Sequence, residues 1–178
     1  MLRLPLLPVL LLCLPVWAWA APYRDTVWPV TFDLPAQWQL SSKTEKKRRT
    51  LLVLPRRAED RERGDARAVF SVRRLGKRDS LQRLIRPYRS AQGGREAASR
   101  IELDEKRGRV LLDYRESENV QNGLWIVRRH QKVWQLDKAS RRVFEADCSA
   151  NASEFKHYRQ PFSSLCLKFS VSSKREQP

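Results

Sequence analysis

The chain has 178 residues, with 36 Lys and Arg against 20 Asp and Glu, a formal net charge of +16. Hydrophobic residues make up 41% and charged residues 31%, enough apolar material for a packed core and too much for a disordered chain. The length excludes a large multidomain enzyme, and the composition excludes a multispan membrane protein.

The first 20 residues stand apart. Arg3 supplies a positive start, Leu4 to Trp17 is an apolar run, and Ala18-Trp19-Ala20 is a small-x-small cleavage pattern. That arrangement predicts a secretory signal peptide over residues 1–20. An uncleaved anchor is the alternative, but Pro5, Pro8 and Pro15 interrupt the run, which is short of the roughly 20 apolar residues a span requires. Cys13 follows Leu12 rather than a small residue, which argues against a lipoprotein signal. The expected product is a single domain over residues 21–178, periplasmic or secreted, with no later transmembrane segment and a polar tail frayed from about residue 172. Cleavage leaves two cysteines, Cys148 and Cys166. An even count in an oxidising compartment suggests a disulfide, with two buried free thiols as the alternative. No CxxC or CxH spacing is present, so neither a metal nor another cofactor is expected.

Val30 to Leu34 alternates and stops at Pro35, which predicts a short strand. Ser41 to Arg49 reads as a polar, basic connection. Thr50 to Leu54 forms a second strand, and Arg56 to Arg67 reads as a charged, solvated loop. Ala68, Phe70 and Val72 mark a third strand. Asp79 or Ser80 then caps a helix whose apolar stripe is Leu81, Leu84, Ile85 and Tyr88, kinked or shortened at Pro87 and ended by Gly93-Gly94. Ser99 to Leu103 and Val110 to Tyr114 make a hairpin around the turn Glu105 to Gly108. Asn122-Gly123 is a turn signal. The apolar phase shifts within Leu124 to Asp137, which predicts one bulged strand or two shorter ones. After Lys138-Ala139-Ser140 comes a strand over Arg141 to Ser149. A second helix starts near Asn151, with Glu154 three residues later, carries Phe155, Tyr158 and Phe162 on one face, and ends at Pro161. Leu165, Leu167 and Phe169 alternate as a final strand. About eight strands joined mostly by short turns, with two helices, predict an α+β fold around a largely antiparallel sheet.

The order of these elements resembles the PsbP/Mog1-like family. Val30-Thr31-Phe32-Asp33-Leu34-Pro35-Ala36-Gln37-Trp38 is similar to the family's opening strand with its Pro-x-x-Trp. Val143 to Ala150, the helix with Glu154-Phe155, Tyr158 and Phe162, and the closing Cys166-Leu167-Lys168-Phe169 are similar to its C-terminal half. The resemblance implies an α/β/α sandwich. It also implies a binding or assembly role rather than catalysis, and outside the cytoplasm for members with export signals. It assigns no ligand-binding residues.

Catalytic patterns are weak. No GxSxG or P-loop is present. A secreted ribonuclease-like hydrolase would need His130 and His157, the only histidines, to converge on one phosphate. Nothing in their spacing joins them, and both read as surface residues. The four tryptophans after residue 20, Trp28, Trp38, Trp125 and Trp134, read as core or sheet-face residues.

The strong signal is charge. Residues 41–90 hold 17 basic side chains against 6 acidic ones, while residues 91–178 hold 17 against 12. One cluster is Lys43, Lys46, Lys47, Arg48 and Arg49. The other is Arg73, Arg74, Lys77 and Arg78, followed by a helical ridge of Arg83, Arg86 and Arg89 at i, i+3 spacing. Guanidinium groups grip carboxylates or phosphates bidentately. Aromatics are lacking between residues 41 and 65, which disfavours single-stranded nucleic acid. The expected function is therefore an exported, non-enzymatic binding or assembly domain whose basic face engages an acidic protein or an anionic envelope component. A secreted hydrolase and a purely structural envelope protein, basic only by composition, are the alternatives.

Overall fold

Apolar alternation pulls much of the chain into strands, because each pleat sends successive side chains to opposite faces. In a computed structural model, which describes residues 20–46, 48–121 and 123–172, ten strands alternate with short helical turns. They are β1 (Ala21–Arg24), β2 (Val30–Leu34), β3 (Trp38–Glu45), β4 (Arg48–Pro55), β5 (Arg67–Arg74), β6 (Arg100–Asp104), β7 (Arg109–Gln121), β8 (Leu124–Asp137), β9 (Arg142–Asn151) and β10 (Ser170–Val171). The helices are α1 (Ala58–Glu62), α2 (Leu81–Ile85) and α3 (Arg159–Phe162). The expected signal peptide lies outside the described residues except for Ala20, as do the tail beyond Ser172, Lys47, and Asn122 of the Asn122-Gly123 turn. Among the described residues no helix is long and apolar enough to cross a membrane.

Seven strands form one antiparallel sheet in the order β3-β4-β5-β9-β8-β7-β6. It is two meanders, β3 to β5 and β6 to β9, sewn together where β5 pairs with β9. Even-numbered residues of β9, Phe144, Ala146, Cys148 and Ala150, enter the larger core on one face. Val143, from the odd set, enters a second core on the other face. The first face is covered by the three-stranded sheet β1-β2-β10 and by the helical turns of residues 155–167. Phe32 of β2 stacks on Phe70 of β5 with centroids 4.3 Å apart. The second face is covered by α2, through Leu81 and Ile85. Helices thus flank an antiparallel sheet on both sides.

Local chemistry explains where the elements depart from expectation. Ser41 to Arg49 is not a loose connection but the β3–β4 hairpin, with Lys43 opposite Thr50 and Glu45 opposite Arg48. A polar edge strand has no buried face to betray it. The charged stretch after Pro55 contains α1, which buries nothing. The helix begun by Ser80, whose hydroxyl accepts from the Arg83 N–H at 3.2 Å, stops at Ile85. Pro87 allows only a 3-10 turn, Arg86–Tyr88, well before Gly93. β8 runs unbroken, its apolar phase shift arising because Val133 enters one core and Trp134 and Leu136 the other, and the register shift of this hairpin lies on β7 between Asn119 and Gln121. Residues 105–108 turn as expected. Gly108 has a φ of 66°, and a Cβ there would come within 2.9 Å of the Leu136 carbonyl oxygen.

The C-terminal segment departs furthest. Phe155–Tyr158 is a 3-10 turn, Pro161 sits inside α3, and Ser163–Leu167 is a π turn. Leu165 and Leu167 therefore belong to a helical turn, and the last strand is only Ser170–Val171. Two tethers impose this. Cys166 is bonded to Cys148 of the central strand β9, with Cα atoms 6.3 Å apart. The Arg109 guanidinium donates to the carbonyls of Cys166 at 3.3 Å and Leu167 at 2.7 Å, and also to that of Phe169, capping a helix end that would otherwise be unsatisfied.

Candidate functional site

The predicted basic residues are spread over the β3–β4 hairpin, the end of β5, and α2 with the turns on either side of it. Arg83 lies on α2 and Arg86 begins the 3-10 turn, with Arg89 just after it; all three are exposed above the second face of the sheet. Arg89 is drawn to Gln82 Oε1 at 3.0 Å. Lys77 and Arg78 are exposed in the turn before α2. Lys43 pairs with its neighbour Glu45 at 2.5 Å. Lys46, with a φ of 46°, makes the β3–β4 turn, and Lys47 lies outside the described residues.

Arg48, Arg49, Arg73 and Arg74 do converge. They share an open groove of about 590 Å³ with Val27, Trp28, Arg141 and Arg142. The register explains the meeting, because Arg74 lies opposite Arg142 in the β5–β9 pair, and the Leu75 N–H donates to the Arg141 carbonyl at 2.8 Å. No acidic residue lines the groove. Two of its six arginines have internal partners. Arg73 pairs with Asp79 at 2.6 Å and, with the Gly76 N–H, holds that carboxyl below the usual range. Arg49 grips Asp25 with both terminal nitrogens, at 2.6 and 2.8 Å, and lies 4.9 Å from the Trp28 ring centroid. Burial pushes the Asp25 carboxyl up, but Arg49, the Trp28 and Val27 N–H groups and the Tyr23 hydroxyl outweigh it, leaving the group well below the ordinary carboxylate range. Arg48, Arg74, Arg141 and Arg142 form no ion pair with a carboxylate among the described residues. Sequence reading missed Arg141 and Arg142 because the turn at residues 138–140 gives no sign of where β9 will pair. Their signal was an Arg-Arg dipeptide beside a turn, as at Arg73-Arg74 at the end of β5.

The histidines are separated. His130 is not a surface residue. It is buried on β8, its Nδ1 3.0 Å from Asp147 Oδ1 and its ring stacked on Tyr114 at 4.6 Å. Its Nε2 is buried without a protein partner. His157 is exposed on the Phe155–Tyr158 turn, which packs against the other face of the sheet. Opposite faces prevent a shared phosphate, so the paired acid–base reading fails on geometry. The run Arg128 to Lys132 alternates inward instead. Lys132 Nζ lies 2.9 Å from Asp147 and 3.1 Å from Glu145, and Trp134 Nε1 donates to Glu145 at 2.7 Å. Burial works against the Lys132 ammonium, but the two carboxylates hold its pKa above the ordinary value. This network joins β8 to β9. Trp125, by contrast, is 64% exposed and is no core residue. Among the described residues no group of three or more His, Cys, Asp or Glu is placed to hold a metal.

No protein-family model matches the chain, and no curated protein matches it by sequence. Solved structures do. The solution structure of cyanobacterial PsbP (CyanoP) from Synechocystis sp. PCC 6803 aligns with a TM-score of 0.56 at 17% identity, over 90% of this chain and 97% of that one. The Ran-binding protein Mog1p of Saccharomyces cerevisiae aligns with a TM-score of 0.55 at 10% identity, over 84% and 94%. A point mutant of Mog1 aligns at 0.53 and 10%, over 86% and 97%. The chain has a PsbP/Mog1-like fold. The mostly antiparallel sheet with flanking helices, which the resemblance implied as an α/β/α sandwich, is the observed arrangement.

Proposed function

We propose that the protein is a non-enzymatic binding or assembly module that engages an acidic protein partner through the arginine groove. The observation that carries this reading is the set of four guanidinium groups, from Arg48, Arg74, Arg141 and Arg142, around a groove with no acidic side chain. Like charges crowded at one end of a sheet cost stability, and a ligand carrying carboxylates relieves that cost while gaining bidentate hydrogen bonds. A protein partner has a precedent on this fold, since Mog1p is a Ran-binding protein. The Arg83, Arg86 and Arg89 ridge is a separate surface on this reading. Export to a periplasmic or extracellular site belongs to the same proposal, supported by the signal-like residues 1–20 and the paired cysteines.

Crosslinking and pull-down from the native cell envelope tests it. Recovery of a protein with an acidic surface, lost on changing Arg74 and Arg142 to Glu, is the expected result. Recovery of anionic glycan or lipid alone would move the groove to the other envelope components. Retention of the same partner by the Arg74→Glu, Arg142→Glu variant would remove the groove from the function.

A further inference from the structure

The groove is not purely ionic. Val27 is 64% exposed on its wall, beside the four arginines that lack internal partners. Its position is tightly determined. The buried Asp25 carboxylate accepts from the Tyr23 hydroxyl at 2.9 Å, from the Val27 and Trp28 N–H groups at 2.9 and 2.7 Å, and from both terminal nitrogens of Arg49. Trp28, the next residue, turns inward and is 8% exposed under the Arg49 guanidinium. Five hydrogen bonds on one carboxylate thus hold a loop that leaves an apolar side chain in water next to cations. A loop already fixed loses little entropy when a ligand covers it.

We propose that the groove selects an acidic peptide segment carrying an apolar side chain beside its carboxylates, and that Val27 is the contact that reads the apolar side chain. The proposal rests on the binding reading above and adds the class of segment. A ligand bearing charge alone would leave Val27 solvated. A lipid headgroup presents its charge with the acyl chains on its far side, away from the groove, so it too would leave Val27 uncovered. A peptide places an apolar side chain within one or two residues of a carboxylate, so one segment can offer both to a groove that Val27 and the arginines line together.

The test uses two labelled peptides of equal length and charge, one of Glu-Glu-Leu repeats and one of Glu-Glu-Gly repeats, titrated against the full chain by fluorescence anisotropy. The Leu peptide is expected to bind about tenfold more tightly, the value of covering one aliphatic side chain. That ratio should persist as salt is raised, because screening weakens only the ionic part, and it should collapse toward one in Val27→Ser. Val27 supports no core contact, so Val27→Ser folds, and its circular dichroism verifies that. Equal affinity for both peptides, each still lost on changing Arg74 and Arg142 to Glu, would overturn the selection by Val27 and leave the binding reading standing. Binding of neither peptide would overturn both. Tighter binding to vesicles containing anionic phospholipid than to the Leu peptide would overturn the peptide assignment in favour of a headgroup.

Discussion

The Arg49 side chain lines the groove, yet both its terminal nitrogens are held by Asp25 and its face by Trp28. Its charge is structural. Arg49→Ala leaves a buried carboxylate unpaired and should cost about 3–5 kcal/mol in urea unfolding. The same carboxylate sets an acid limit. Asp25 and Asp147 both hold folded pKa values below the ordinary Asp value, Asp147 at about 2. Burial opposes the shift at Asp147, and the His130 hydrogen bond and the Lys132 ammonium overcome it. The folded state therefore binds fewer protons than the unfolded chain. The stability involved is complete above the ordinary Asp pKa of about 3.9 and is lost as the pH falls from there through the folded values. Unfolding free energy should decline below about pH 4, with a shallower decline in Asp25→Asn and Asp147→Asn, because removing either titration removes its share of the slope. Arg141 makes the opposite case. Its φ of 54° is a left-handed conformation that Gly or Asn adopts more cheaply. Arg141→Asn should keep or raise thermal stability while weakening binding of an acidic peptide. A loss of stability would mark Arg141 as structural.

At the scale of elements, the strands with one buried face were legible. The alternation at Val30 to Leu34, Ala68 to Val72 and Val110 to Tyr114 maps directly onto β2, β5 and β7. The β3–β4 hairpin was not legible, because an exposed edge strand of Ser, Lys and Thr has the composition of a loop. Leu165, Leu167 and Phe169 misled for another reason. Leu165 and Leu167 sit in a helical turn held by Arg109 and the disulfide, and Phe169 follows it before β10, so the alternation is not a pleat. That disulfide fastens the helical turns of residues 155–167 to β9. Reducing it should cost about 3 kcal/mol, measured as a lower thermal midpoint in the presence of a reductant, with an unchanged midpoint as the contrary result. The β7–β8 hairpin behaves differently. Beyond Arg128, β8 has no partner on β9, so its first residues stand in a two-stranded ribbon. Leu124 and Trp125 are more than half exposed there. Changing either to Ser should alter stability by less than about 0.5 kcal/mol, since no core contact is lost. A larger loss would show that the ribbon packs against something.

Over the whole molecule the sheet has two unlike ends. Arg142 lies opposite Asp137, at the end of β8 remote from Trp125, and twelve residue steps along the strand separate Asp137 from Trp125 by about 40 Å. The arginine groove occupies one end and the apolar ribbon the other. Part of the net charge of +16 therefore gathers at one end of the sheet. Part of that location was legible, since Arg48, Arg73 and Arg74 stood out as dense basic positions. Arg141 and Arg142 did not, because the pairing of β5 with β9 joins segments about 70 residues apart, and sequence clustering sees only near neighbours. Arg83, Arg86 and Arg89 lie on α2 and the turn after it, over the face of the sheet that α2 covers. The most direct test of the central claim is one titration with an acidic Glu-Glu-Leu peptide, made on the wild type, on Arg74→Glu with Arg142→Glu, and on a ridge variant with Arg83, Arg86 and Arg89 all changed to Glu. Groove reversal should weaken binding by more than about tenfold and flatten its salt dependence, and ridge reversal should change it by less than about threefold. Equal loss in both variants, or loss only on the ridge, would contradict a groove-centred function.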